Sequence, residues 1–208
     1  MPLELGRVVA SFGRTVQLED ERGTLIDCDV FGRRLGIVCA DRVQFERPAQ
    51  QGRGVVREVL PRQSLITRTN NRGEPEPVAA NATQLVVVLA HPPLPDYFLI
   101  DRYLAAAESA QLAALLVLNK ADVETARTDD CRAELAAWAR IGYASVQVSA
   151  HSGAGLDELR AALRAHTSLL VGQSGVGKSS ILNALAPQTA TRTRDIVQKT
   201  GKGSHTTT

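Results

Sequence analysis

Eight residues, Gly172-Gln173-Ser174-Gly175-Val176-Gly177-Lys178-Ser179, limit the folds open to this chain more than any other stretch. They match G-x-x-x-x-G-K-[ST], a phosphate-binding loop that works only between a strand and a helix. The glycines let the backbone curl so that successive N–H groups point inward at phosphate oxygens. A helix starting near Lys178 adds the positive end of its dipole. In such a loop the lysine neutralises β/γ-phosphate charge and the serine hydroxyl, here Ser179, ligates Mg²⁺. The context is right. Residues 168–171 read as the entering strand and 179–186 as the leaving helix, stopped at Pro187.

The residues before the loop alternate between apolar runs and helical periodicity. Residues 84–90, 113–118 and 144–148 read as buried strands. Asp96 opens a helix in which Ile100, Tyr103, Leu104 and Ala107 share a face. A second helix over 129–140 aligns Cys131, Leu135 and Trp138, with Gly142 as its stop, and a third covers 156–165. Such alternation predicts an α/β unit with a mostly parallel sheet covered on both faces. Ligands bind at the carboxyl ends of such strands. Asn119-Lys120-Ala121-Asp122 and Ser149-Ala150 fall at two of those ends, and the phosphate loop falls at a third.

The tetrapeptide resembles the N-K-x-D guanine-specificity motif of the GTPase superfamily. Asp122 then accepts from the N1–H and 2-amino group of guanine, and adenine would leave that carboxylate unpaired. By the same resemblance Asn119 contacts the base edge and ties its loop to the phosphate loop, while the stem of Lys120 covers the base. Ser149-Ala150 is similar to the motif whose backbone amide contacts guanine O6. In an ordinary GTPase the phosphate loop comes first and these motifs last. Here the order is rotated, and His166-Thr167 join a helix directly to the strand before Gly172, so the chain resembles a circularly permuted GTPase.

The first 72 residues have another texture. Residues 6–12, 14–18, 24–30, 42–46 and 54–60 read as five short strands of an all-β barrel, with the OB-fold the natural candidate. The polar, proline-containing stretch 70–77 reads as a boundary, so the expected division is a barrel over 1–72, a linker over 73–82 and the permuted domain over 83–208. Phe12, Phe31 and Phe45 are expected to fill the barrel, with base stacking as the alternative. Residues 1–72 hold 12 Arg against 9 acidic residues, which suits an RNA-facing surface, although 20 Arg against 4 Lys in the whole chain dilutes that signal. The apolar runs are too short to span a membrane, and no secretory signal is visible. Cys28, Cys39 and Cys131 are odd in number and widely spaced, as in a cytoplasmic protein with reduced thiols.

Together with Gly203-Ser204-His205-Thr206-Thr207-Thr208 and Leu99-Ile100-Asp101-Arg102-Tyr103-Leu104, these motifs resemble the ribosome small-subunit-dependent GTPase A (RsgA, YjeQ) family. The resemblance implies an OB-fold, a permuted GTPase domain and a zinc-binding C-terminal domain. It implies GTP/GDP and Mg²⁺ as ligands, with the phosphates on Gly172 through Ser180 and the metal on Ser179 and a threonine of the tail, Thr206 or Thr207. The partners it implies are the small ribosomal subunit and its rRNA, with no membrane, for a monomer assisting late maturation of that subunit. No zinc-ligand cluster and no D-x-P-G motif occur up to Thr208, so the permuted domain is expected to be incomplete, ending in the first switch. These 208 residues alone are expected to bind guanine nucleotide poorly or modestly and to hydrolyse GTP negligibly. No catalytic residue is assigned. The competing readings are a permuted GTPase acting on the large subunit or another RNA–protein particle, and a nucleotide-regulated RNA-binding module.

Overall fold

A computed structural model describes residues 2–31, 36–48, 52–70, 72–123 and 128–186. The chain divides into two compact units, Met1–Ala82 and Thr83–Thr208.

In the first unit five strands close a barrel: β1 (Leu3–Ser11), β2 (Thr15–Asp20), β3 (Leu25–Val30), β4 (Arg42–Glu46) and β5 (Gly54–Val59). The order β1-β2-β3-β5-β4, with β3 and β5 parallel and β4 returning to β1, is that of an OB-fold. The period of two sets the interior. Val16 and Leu18 of β2, Ile26 and Cys28 of β3, and Val43 and Phe45 of β4 all point inward. Burial pushes the Cys28 thiol up to about 11. Gly54 lets β5 enter: a Cβ there would stand 2.6 Å from Cys28 Sγ and 2.8 Å from Glu46 O. Gly54→Ala is therefore expected to cost about 1–3 kcal/mol by overpacking, seen as a lower denaturant midpoint; an unchanged midpoint would refute that account of the glycine.

Phe45 fills the barrel at 0% exposure, but Phe12 and Phe31 do not, at 47% and 67%. Phe12 stands at the β1–β2 turn and Phe31 just after β3, outside the alternation that turns Phe45 inward. The expected linker also differs. Residues 73–82 contain β7 (Pro75–Ala80), which pairs antiparallel with β6 (Leu65–Thr69). Asn70 makes the turn, its side chain accepting from the N–H groups of Arg72 and Glu74, with Gly73 at φ +79°. Pro75 and Pro77 are tolerated because a two-stranded ribbon leaves one edge of β7 without a full ladder.

The second unit is a parallel sheet of β8 (Gln84–Ala90), β9 (Ala113–Asn119), β10 (Ala144–Gln147) and β11 (Ser168–Val171) in the order β10-β9-β8-β11. Helices α1 (Tyr97–Ser109) and α2 (Thr128–Arg140) cover one face, packing on Val87, Leu89, Leu116 and Leu118. Helices α3 (Leu156–Leu163) and α4 (Lys178–Leu185) cover the other, over Val86, Val88, Leu115 and Val146. Every residue of β8 is buried, as two covered faces require. From β8 the chain steps outward to β9 and β10, then returns to lay β11 on the other side of β8. That reversal opens a crevice at the carboxyl ends of β8 and β11. The return is stitched by Thr83 N–H to Thr167 O, Thr167 N–H to Thr83 Oγ1, and Ser168 Oγ to Gln84 Oε1. Among the described residues no helix is long and apolar enough to cross a membrane.

Candidate nucleotide site

The loop after β11 runs from Gly172 into α4, which begins at Lys178. Gly172 has φ +146°, and a Cβ on it would collide with Val88 O of β8. Gly177 has φ +91° and caps α4; a Cβ there would collide with the Asn119 side-chain amide. Only glycine fits both positions. The Lys178 ammonium donates to Gly172 O at 2.9 Å and Gln173 O at 2.8 Å, spanning the loop. Burial holds its pKa below the usual lysine range. Val176 is buried, while Ser174, Ser179 and Ser180 are exposed along the rim.

Asn119, at the end of β9 and 3% exposed, joins the three motifs. Its Nδ2 donates to Val176 O of the phosphate loop at 2.9 Å, and its Oδ1 accepts from Ala150 N–H at 3.1 Å. A buried amide satisfied on both ends fixes its neighbours' register. Ser149, fully buried, accepts from Ser152 N–H at 3.0 Å and hydrogen-bonds to Asp122. That bond holds the Asp122 carboxyl below the usual carboxylate range. Asp122 itself is exposed. Lys120 adopts φ +62° and donates from Nζ to Pro92 O at 2.7 Å.

The geometry thus brings together Asn119, Lys120, Asp122, Ser149, Ala150 and Gly172 through Ser180. Thr206 and Thr207 lie outside the described residues. Two contributors escaped the sequence reading, Pro92 and Asp96 in the loop after β8. Only their contacts reveal them: Pro92 O receives Lys120, and Asp96 N–H donates to Gln173 Oε1. Among the described residues no three His, Cys, Asp or Glu side chains converge to hold a metal. Ser179 offers one hard hydroxyl oxygen, which suits Mg²⁺ because that ion keeps several waters and takes further oxygens from phosphates.

The parallel sheet, its phosphate loop at the switch point and the late position of that loop define the class, a circularly permuted GTPase. The RsgA GTPase family model matches residues 59–208. A Pseudomonas aeruginosa protein named "Small ribosomal subunit biogenesis GTPase RsgA" is 45% identical over all of this chain and 61% of its own length. Its Azotobacter vinelandii namesake is 46% identical over 100% of this chain and 62% of its own. Among solved structures, YjeQ from Thermotoga maritima matches with TM-score 0.72 and 34% identity, over 90% of this chain and 66% of that one. YloQ, described as a circularly permuted GTPase, matches with TM-score 0.65 and 26% identity, over 89% of this chain and 65% of that one. The chain belongs to the RsgA GTPase family. It spans 61–62% of the length of these two curated relatives.

Proposed function

We propose that this chain binds guanine nucleotide with Mg²⁺ as part of a GTPase that assists late maturation of the small ribosomal subunit, its hydrolysis stimulated by that subunit. The observation that carries the reading is Asn119, whose buried amide holds the phosphate loop and the Ser149-Ala150 turn together at the sheet's carboxyl ends. Asp122, held ionised by Ser149, takes the N1–H and 2-amino donors of guanine. The Ala150 N–H is shared between Asn119 Oδ1 and guanine O6, as three-centre bonds allow. Lys120 lays its stem along the base, and the amides of Gly172 through Ser180 with the Lys178 ammonium receive the phosphates. Bound Mg²⁺, held on Ser179 and a tail threonine (Thr206 or Thr207), supplies neutralisation of β/γ-phosphate charge.

The barrel is the part proposed to touch rRNA, in a cytoplasmic, monomeric protein. Its support is the arginine surplus of residues 1–72 and the exposed Phe12 and Phe31 at one end. There a cavity of about 780 Å³ is bordered by Arg14, Asp29, Phe31 and Ile37.

The deciding experiment measures GTP turnover by the full-length protein alone, with purified small subunits and with large subunits. Stimulation confined to the small subunit is the expected result; stimulation by the large subunit, or by neither, rejects the proposal. Base recognition has its own test. Asp122→Asn replaces an acceptor with a donor at the base's 2-position, so it should weaken GDP and strengthen xanthosine diphosphate by at least about a hundredfold in their ratio. An unchanged ratio would remove Asp122 from the base site.

A further inference from the structure

The first turn of α1 is capped by two hydrogen bonds, one local and one reaching the phosphate loop. Asp96 is the N-cap, with φ −88° and ψ 92°, and its Oδ1 accepts from Leu99 N–H at 3.0 Å. In a complete capping box the residue at the Leu99 position is Glu or Gln, and it reaches back to the N-cap's own N–H. Leucine has no acceptor to offer. The Asp96 N–H instead donates to Gln173 Oε1 of the phosphate loop, 77 residues away, at 3.2 Å. The same loop after β8 is held once more, by Lys120 Nζ on Pro92 O, and Pro93 lies close enough to the phosphate loop that a Cβ on Gly175 would touch its ring at 3.8 Å.

We infer that Gln173 is a positioning residue: its side chain completes the α1 cap across space and fixes the first half of the phosphate loop against the loop after β8. Nucleotide affinity and order at the start of α1 are thereby coupled. This rests on the nucleotide site proposed above, where Gln173 serves the phosphates through its backbone N–H while its side-chain oxygen is engaged by Asp96.

The test uses the full chain, GDP as probe, and NMR-detected hydrogen exchange at Asp96 and Leu99. Gln173→Met keeps length and removes the acceptor. It should speed exchange at both amides about fivefold without nucleotide and raise the GDP dissociation constant by a similar factor, the scale of one lost neutral hydrogen bond. Gln173→Glu restores an acceptor and should return exchange to the wild-type rate. Unchanged exchange in Gln173→Met, whatever happens to GDP, overturns the inference. So does faster exchange with unchanged GDP affinity, or a glutamate that fails to restore protection. A wild-type chain that binds no GDP would reject the nucleotide site itself, and the nucleotide-free exchange rates would still decide whether the cap exists.

Discussion

Asn119→Ala is expected to abolish measurable guanine-nucleotide binding and to lower the stability of the second unit. The side chain is 3% exposed and spends both ends on backbone groups, Val176 O and Ala150 N–H. Truncation leaves those two groups without this partner, at about 1–3 kcal/mol each where water cannot replace it. The total, about 2–6 kcal/mol, is a large share of a domain's stability. Binding suffers further because the phosphate loop and the Ser149-Ala150 turn lose their common anchor, so a GDP dissociation constant at least about a hundredfold higher is expected. Asn119→Asp sharpens the test. It keeps an acceptor for Ala150 N–H but turns a carboxylate toward Val176 O, so binding should stay lost. Fluorescence titration with a labelled GDP and chemical denaturation read both effects. Near-native affinity in the alanine variant would refute the three-motif anchor.

Arg62→Met is expected to be the most damaging single change in the barrel. Asp41 is 0% exposed and accepts from Arg62 Nε at 2.7 Å, Arg62 Nη2 at 2.8 Å and Val38 N–H at 2.9 Å. The Arg62 guanidinium also reaches Gly36 O at 2.7 Å, and its hydrogen bonds to Asp41 raise its pKa. Removing it strands a buried carboxylate, at about 3–5 kcal/mol. The double variant Asp41→Leu with Arg62→Met removes both charges and should recover most of the loss, since a buried pair is often replaceable by apolar side chains. Thermal melts of the three proteins check this. A single variant as stable as the wild type, or a double variant no better than the single, would refute the account.

The sheet strands and the motifs at their ends were legible because they follow periodic or positional rules. Residues 84–90 read as a buried strand and are β8, and Asp96 read as a helix start and is the N-cap of α1. The barrel strands were legible by alternation, which places Val43 and Phe45 on one side of β4. Phe12, read as the last residue of a strand over 6–12, lies one residue past β1, which ends at Ser11, and Phe31 follows β3, so the alternation reaches neither and both proved exposed. The hairpin of β6 and β7 was hidden by its prolines and polar turn, read as a boundary when Asn70 and Gly73 were turn chemistry. Pairings such as Gln173 with Asp96, or Arg62 with Asp41, join residues 77 and 21 apart in the chain. Local patterns carry no record of them.

The stitching of β11 to β8 has a consequence for how the chain is made. β8 is synthesised 84 residues before the strand that pairs with its second edge. At about 5–20 residues per second, that edge waits roughly 4 to 17 seconds for its partner. During that interval an apolar strand with open backbone groups lies available to wrong neighbours. The half of the crevice built on β8, β9 and β10 can therefore be in place while the half built on β11 and the loop after it has yet to leave the ribosome.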